Sequence, residues 1–146
     1  MNQSRPGPVA KIVALVDISG SQTPDVLNRI DYLLQGWART FHIKVIAHEM
    51  DVKGVCDFRP HCLDAYECGG GINYRKAFDR AMEENPLLIL SFTDGFGDRP
   101  INPGVPVIWY ITDKVAHKPA EWGFVVPNKE WQWSSIGWSV KRRRTR

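Results

Sequence analysis

Asp17-Ile18-Ser19-Gly20-Ser21 places one carboxylate and two hydroxyls two residues apart. Oxygen donors of this kind are hard ligands, suited to Mg2+ or Mn2+, with Ca2+ as a further candidate. Thr93-Asp94-Gly95 supplies a second carboxylate, Asp94, and Gly69-Gly70-Gly71 opens a third polar loop. Two carboxylates leave a divalent cation with positions open to water or to a partner's oxygen. The plainer reading is that Asp17 and Ser19 satisfy the turn backbone and that the next helix is capped locally.

Other constellations offer less. His48-Glu49 begins like a metalloprotease helix, but position 52 is Val, so the second histidine is missing. No Lys-Ser or Lys-Thr follows the three glycines, which argues against a nucleotide loop. No histidine is tied to Ser19 or Ser21 by a motif, and no Gly-x-Ser-x-Gly elbow is present. Three cysteines, Cys56, Cys62 and Cys68, are an odd number with no short Cys-x2-4-Cys spacing. They read as free thiols rather than a disulfide framework or a zinc site. The chain is therefore expected not to be an enzyme. A metal-assisted hydrolase would need a base or nucleophile that the sequence does not name.

The elements that must position these loops alternate. Lys11 to Ile18 is a near-continuous apolar run, as in a strand buried on both faces. Thr23 can cap a helix with Pro24 at its first position, and Val26, Leu27, Ile30, Leu33, Leu34 and Trp37 carry it to about Arg39 or Thr40. His42 to Met50 and the shorter Lys53 to Phe58 read as strands, and Cys56 to Cys68 as loop. A helix from Tyr74 stops at Asn85, before Pro86. Leu87 to Phe92, Val105 to Ile111 and a short Gly123 to Val126 complete the strands. Glu130-Trp131-Gln132-Trp133 alternates like an edge strand. This order predicts an α/β fold of three layers, with a mostly parallel central sheet and helices on both faces. In such sheets ligands bind beyond the carboxyl ends of the strands, where the three polar loops could meet.

The 146 residues suit one domain, read as 9–140 between a polar N-terminal tail, 1–8, and a basic C-terminal tail, 141–146. Five of the 19 basic residues fall in that last stretch, so the remainder, 14 basic against 16 acidic, is mildly acidic. No apolar run is long enough to cross a membrane and no secretory signal is visible, so the expectation is cytoplasmic. Trp122, Trp131, Trp133 and Trp138 precede the arginines. They read as core cover, as a protein-binding surface, or as a stacking platform for nucleic acid beside the basic tail.

Together D-I-S-G-S at 17–21, G-G-G-I-N-Y at 69–74 and T-D-G at 93–95 give the chain the look of a von Willebrand factor A-like (VWA-like) domain. The resemblance covers roughly Val9 to Pro127. More narrowly, the chain is similar to bacterial VWA-like domains that often lie C-terminal to a predicted metallopeptidase-like region, which is not expected in this chain. Gly97-Asp98-Arg99-Pro100, Asp51-Val52 and Glu121-Trp122-Gly123 match further pieces of that group.

The resemblance implies a metal-ion-dependent adhesion site. Asp17, Ser19 and Ser21 match the first loop's ligands, and Asp94 matches the third loop's carboxylate. The family's threonine falls at Ile72, which has no side-chain oxygen; Asn73 stands where the narrower group has aspartate and is the substitute ligand. The implied function is a protein-interaction module that binds a partner's acidic residue through the cation. The implied partner is an AAA+ ATPase of the MoxR type. The alternative is a nucleic-acid-associated protein working through its Trp- and Arg-rich end.

Overall fold

The computed structural model describes residues 11–115 and 117–131. Six strands form one sheet: β1 (Lys11–Asp17), β2 (His42–His48), β3 (Val52–Asp57), β4 (Leu88–Thr93), β5 (Val107–Ile111) and β6 (Phe124–Val126). Their order is β3-β2-β1-β4-β5-β6, and every pairing is parallel except β2 with β3. The antiparallel β3 sits on one edge, where a two-strand hairpin needs no crossover. The mostly parallel sheet with helices on both faces is the expected α/β architecture.

Side chains alternate along each strand, so one strand feeds two cores. Ile12, Ala14 and Val16 point to the face covered by α1 (Pro24–Trp37). Val13 and Leu15 point to the face covered by α2 (Tyr74–Met82). Burial on both faces is why β1 carries no polar residue between Lys11 and Asp17. Thr23 Oγ1 caps α1 by accepting from Val26 N at 3.3 Å, with Pro24 in the first turn as its sequence suggested.

Several boundaries move. α1 ends at Trp37, because Ala38, Arg39 and Thr40 donate into a tightening last turn. α2 ends at Met82, three residues before Asn85, which takes a positive φ of 52°. The stretch from Cys56 to Cys68 is not all loop: Cys56 and Asp57 pair in β3, and Cys62–Ala65 makes one 3-10 turn. Glu130 and Trp131 do not form an edge strand. They end a four-residue helix, α3 (Asn128–Trp131), started by the bond from Glu130 N to Pro127 O. The Trp131 indole N–H donates to Ile111 O at 2.8 Å, and its ring packs beside Phe92 and Tyr110. That anchoring outweighs the alternating pattern. The two tails, Trp133 and Trp138 lie outside the described residues.

Strand order reverses at the β1–β4 junction. β1 continues through α1 to β2 on one side, while β4 leads to β5 on the other. A crevice opens at the carboxyl ends of strands that part in this way. Asp17 ends β1 and Thr93 ends β4, so the sequence places its polar loops at that crevice.

Candidate functional site

The first loop is held before any side chain acts. Ile18 N donates to His48 O at 2.8 Å, Gln22 N to Ser19 O at 3.0 Å, and Gly20 N to Gly70 O at 2.9 Å. Gly69 N returns a bond to Ile18 O at 2.8 Å, so the first and second loops are zipped backbone to backbone. Gly70 has φ +81°, which a side chain would strain, and a Cβ there would come within 2.5 Å of Glu49 Oε2.

Asp17 lies at the floor of the crevice and is fully buried. One carboxylate oxygen, Oδ1, accepts from Ser19 N at 2.8 Å, and the other, Oδ2, accepts from Thr93 Oγ1 at 2.7 Å. The Tyr74 phenol lies 2.8 Å from Thr93 Oγ1 and 2.5 Å from Phe96 O, with one proton to share between them. Above Asp17, Ser19 Oγ is 3.4 Å from Ser21 Oγ, and Ser21 Oγ donates to Asp94 Oδ2 at 2.5 Å. The other Asp94 oxygen, Oδ1, accepts from Phe96 N at 2.9 Å, which fixes its carboxylate in the third loop. Asp17, Ser19, Ser21 and Asp94 thus come together, with Asp17 deepest and Ser21 at the exposed mouth.

Burial is the main force on Asp17 and pushes its pKa above the ordinary 3.8. Hydrogen bonds from Ser19 and Thr93 oppose that rise, and the Asp94 charge adds to it. Two carboxylates are therefore drawn toward one pair of hydroxyls with no cationic side chain between them. This donor set fits a hard divalent cation, which would favour the ionised form of Asp17. Among the described residues, no group of three or more His, Cys, Asp or Glu side chains converges on one point. Half of this cluster is hydroxyl.

The second loop contributes less than its sequence position promised. Asn73 Oδ1 accepts from Lys76 N at 3.3 Å, and Asn73 N donates to Glu49 O at 3.0 Å. The amide oxygen is the N-cap of α2, a role that Asn fills well. Ile72 is half-buried against the core under α2, where a Cβ on Gly97 would meet its Cγ2 at 2.6 Å.

Sequence reasoning missed Thr93 and Tyr74 as site residues, and it weighed His48 only as half of a metalloprotease pair. Thr93 and Tyr74 stood inside quoted motifs, and their place at the end of β4 and the start of α2 was the available signal. His48 gave none. It is register partner to Asp17, fully buried, and neither ring nitrogen has a hydrogen-bond partner. Burial holds its pKa down at about 4, so the ring is neutral at pH 7. Cys56, Cys62 and Cys68 are half-buried free thiols. Burial raises the pKa of Cys62 and Cys68, which keeps both protonated.

A family model for the VWA-like domain (DUF2201) matches residues 12–127. The chain belongs to this family. No curated protein matches it. The match runs from β1 to the turn before α3 and so takes in all three loops of the VWA-like domain. Domains of this kind are in general interaction modules.

Around the cluster, this VWA-like domain carries apolar side chains that the fold does not need. Met50 follows β2, Phe96 follows β4 and Val115 follows β5, each within four residues of a strand's carboxyl end. They are 47%, 51% and 60% exposed. The Phe96 ring packs against His117, tilted by 50°, with centroids 3.9 Å apart. Elsewhere, Trp122 packs on Phe78 and Trp109. Trp122 and Trp131 are thus committed to the two cores rather than to a stacking surface. Among the described residues no helix is long and apolar enough to cross a membrane.

Proposed function

We propose that this VWA-like domain is a non-enzymatic interaction module whose contact point is a divalent cation held by Asp17, Ser19, Ser21 and Asp94. The observation that carries the proposal is the Ser21–Asp94 contact at the mouth of the crevice, above a second, buried carboxylate. Mg2+ or Mn2+ would join the two carboxylates and leave its outward positions to a partner's Glu or Asp. The exposed Met50, Phe96 and Val115 supply apolar contact around that charged centre. Asn73 remains a helix cap in this reading.

The narrower likeness belongs to the same proposal. It sets this domain with the bacterial VWA-like domains that accompany metallopeptidase-like regions. On that likeness the partner is a MoxR-type AAA+ ATPase and the setting is the cytoplasm. Affinity capture with the purified protein tests the proposal. Partner capture in Mg2+ should be lost in EDTA and in Asp17→Ala. Capture insensitive to both contradicts it, and EDTA-insensitive capture of nucleic acid would support the reading through the basic tail instead.

A further inference from the structure

Beside the first loop, on the α1 face of the sheet, a cavity of about 590 Å3 opens between the start of α1 and the turn at 62–68. Its walls include Gln22, Leu27, Leu63, Asp64, Tyr66 and Glu67, and no Lys or Arg lines it. Asp64 and Glu67 are exposed, and Leu27 and Leu63 are buried. Gln22 is only 5% exposed, yet neither its amide nitrogen nor its amide oxygen has a hydrogen-bond partner. A buried amide left unpaired is destabilising, so a ligand that pairs it gains affinity. Its backbone is held in place by the bond from Gln22 N to Ser19 O.

We propose that this cavity receives an arginine-bearing peptide segment of the protein partner. The proposal rests on the reading of the domain as an interaction module, and it does not require the cation. Gln22 offers one donor group and one acceptor, which matches a peptide amide. The aliphatic stem of an arginine suits Leu27 and Leu63, and its guanidinium suits the face of Tyr66. Asp64 and Glu67 carry the opposite charge, and a planar guanidinium can bridge carboxylates with paired hydrogen bonds. Glu67 has no ion-pair partner among the described residues, and Asp64 has only His61 at 3.7 Å, on the surface. Gln22 directly follows Ser21, so one partner segment can place an acidic residue over Ser21 and Asp94 and a basic one here.

The test is an NMR titration of the 15N-labelled full chain in EDTA, so that it is independent of any cation. N-acetyl-arginine-amide should shift the Gln22 side-chain amide and the Leu63 and Glu67 backbone amides saturably. N-acetyl-norleucine-amide and N-acetyl-glutamate-amide should bind at least fivefold more weakly. Gln22→Leu should weaken the arginine probe by about fivefold or more. Asp64→Asn with Glu67→Gln, both on exposed side chains, should remove the preference for arginine over norleucine and serves where Gln22→Leu does not fold. No saturable shift by roughly 50 mM probe, which means a Kd above any useful range, would overturn the proposal. Equal binding of the three probes, or an unchanged affinity in the exposed-residue variant, would overturn it too. Tighter binding of free L-arginine than of the capped probe would assign the cavity to a metabolite and also overturn it. None of these outcomes bears on whether Asp17 binds metal.

Discussion

At the scale of single residues, the site is governed by what burial does to Asp17 and His48. Burial raises the pKa of Asp17, so the folded protein holds that proton more tightly than the unfolded chain does. Stability from this group is present below 3.8 and declines as pH rises from there through the raised pKa. On the proposed reading, a cation at the site would compete with the proton and reverse that decline. Mg2+ should therefore raise the melting temperature at pH 7 and have little effect at pH 4, as measured by calorimetry with and without EDTA. His48 works in the opposite sense. Its pKa falls from 6.5 to about 4, so its contribution is complete above 6.5 and is lost as pH falls toward about 4. The loss should be on the order of 3 kcal/mol, at about 1.4 kcal/mol per pKa unit. Urea denaturation at pH 7 and pH 4.5 checks this: the difference between the two should shrink in His48→Leu.

At the scale of elements, the second loop is a scaffold. Asn73 caps α2, so Asn73→Ala should cost about 1 kcal/mol of stability and leave Mg2+ affinity unchanged. A tenfold loss of affinity in that variant would instead make Asn73 a ligand. Gly70→Ala forces a side chain into a φ of +81° and should cost about 1–2 kcal/mol. Because Gly70 O accepts from Gly20 N, that variant should also weaken cation binding, read by titration of the folded protein. Much at this scale was legible in the sequence. The buried run of β1 and the Thr23-Pro24 start of α1 each follow from local chemistry. The end of the chain was not. Glu130-Trp131 alternates like a strand, but the contacts of Trp131 with Ile111, Phe92 and Tyr110 are long-range and leave no local pattern.

At the scale of the whole molecule, the sheet order makes the site. Asp17 and Asp94 stand 77 positions apart in sequence and meet because β1 and β4 are neighbours where the winding reverses. The motifs named both carboxylates, yet only the topology shows that Ser21 reaches Asp94 and that Thr93, backed by Tyr74, supports Asp17. Ile72 shows the limit of a motif. It marks a missing donor, but its burial beneath the third loop comes from packing. Among the exposed apolar residues, Met50, Phe96 and Val115 lie beside the crevice, whereas Leu87 and Phe124 stand at strand starts. Replacing Met50 and Phe96 with Ser should leave stability within about 0.5 kcal/mol, as expected for surface positions, and reduce Mg2+-dependent partner capture.

Calorimetric titration of Mn2+ into the metal-free protein and into Asp17→Ala bears most directly on the central claim. The account predicts one saturable binding event in the native protein and none in the folded variant. No binding heat in the native protein, or the same isotherm in both, would contradict it.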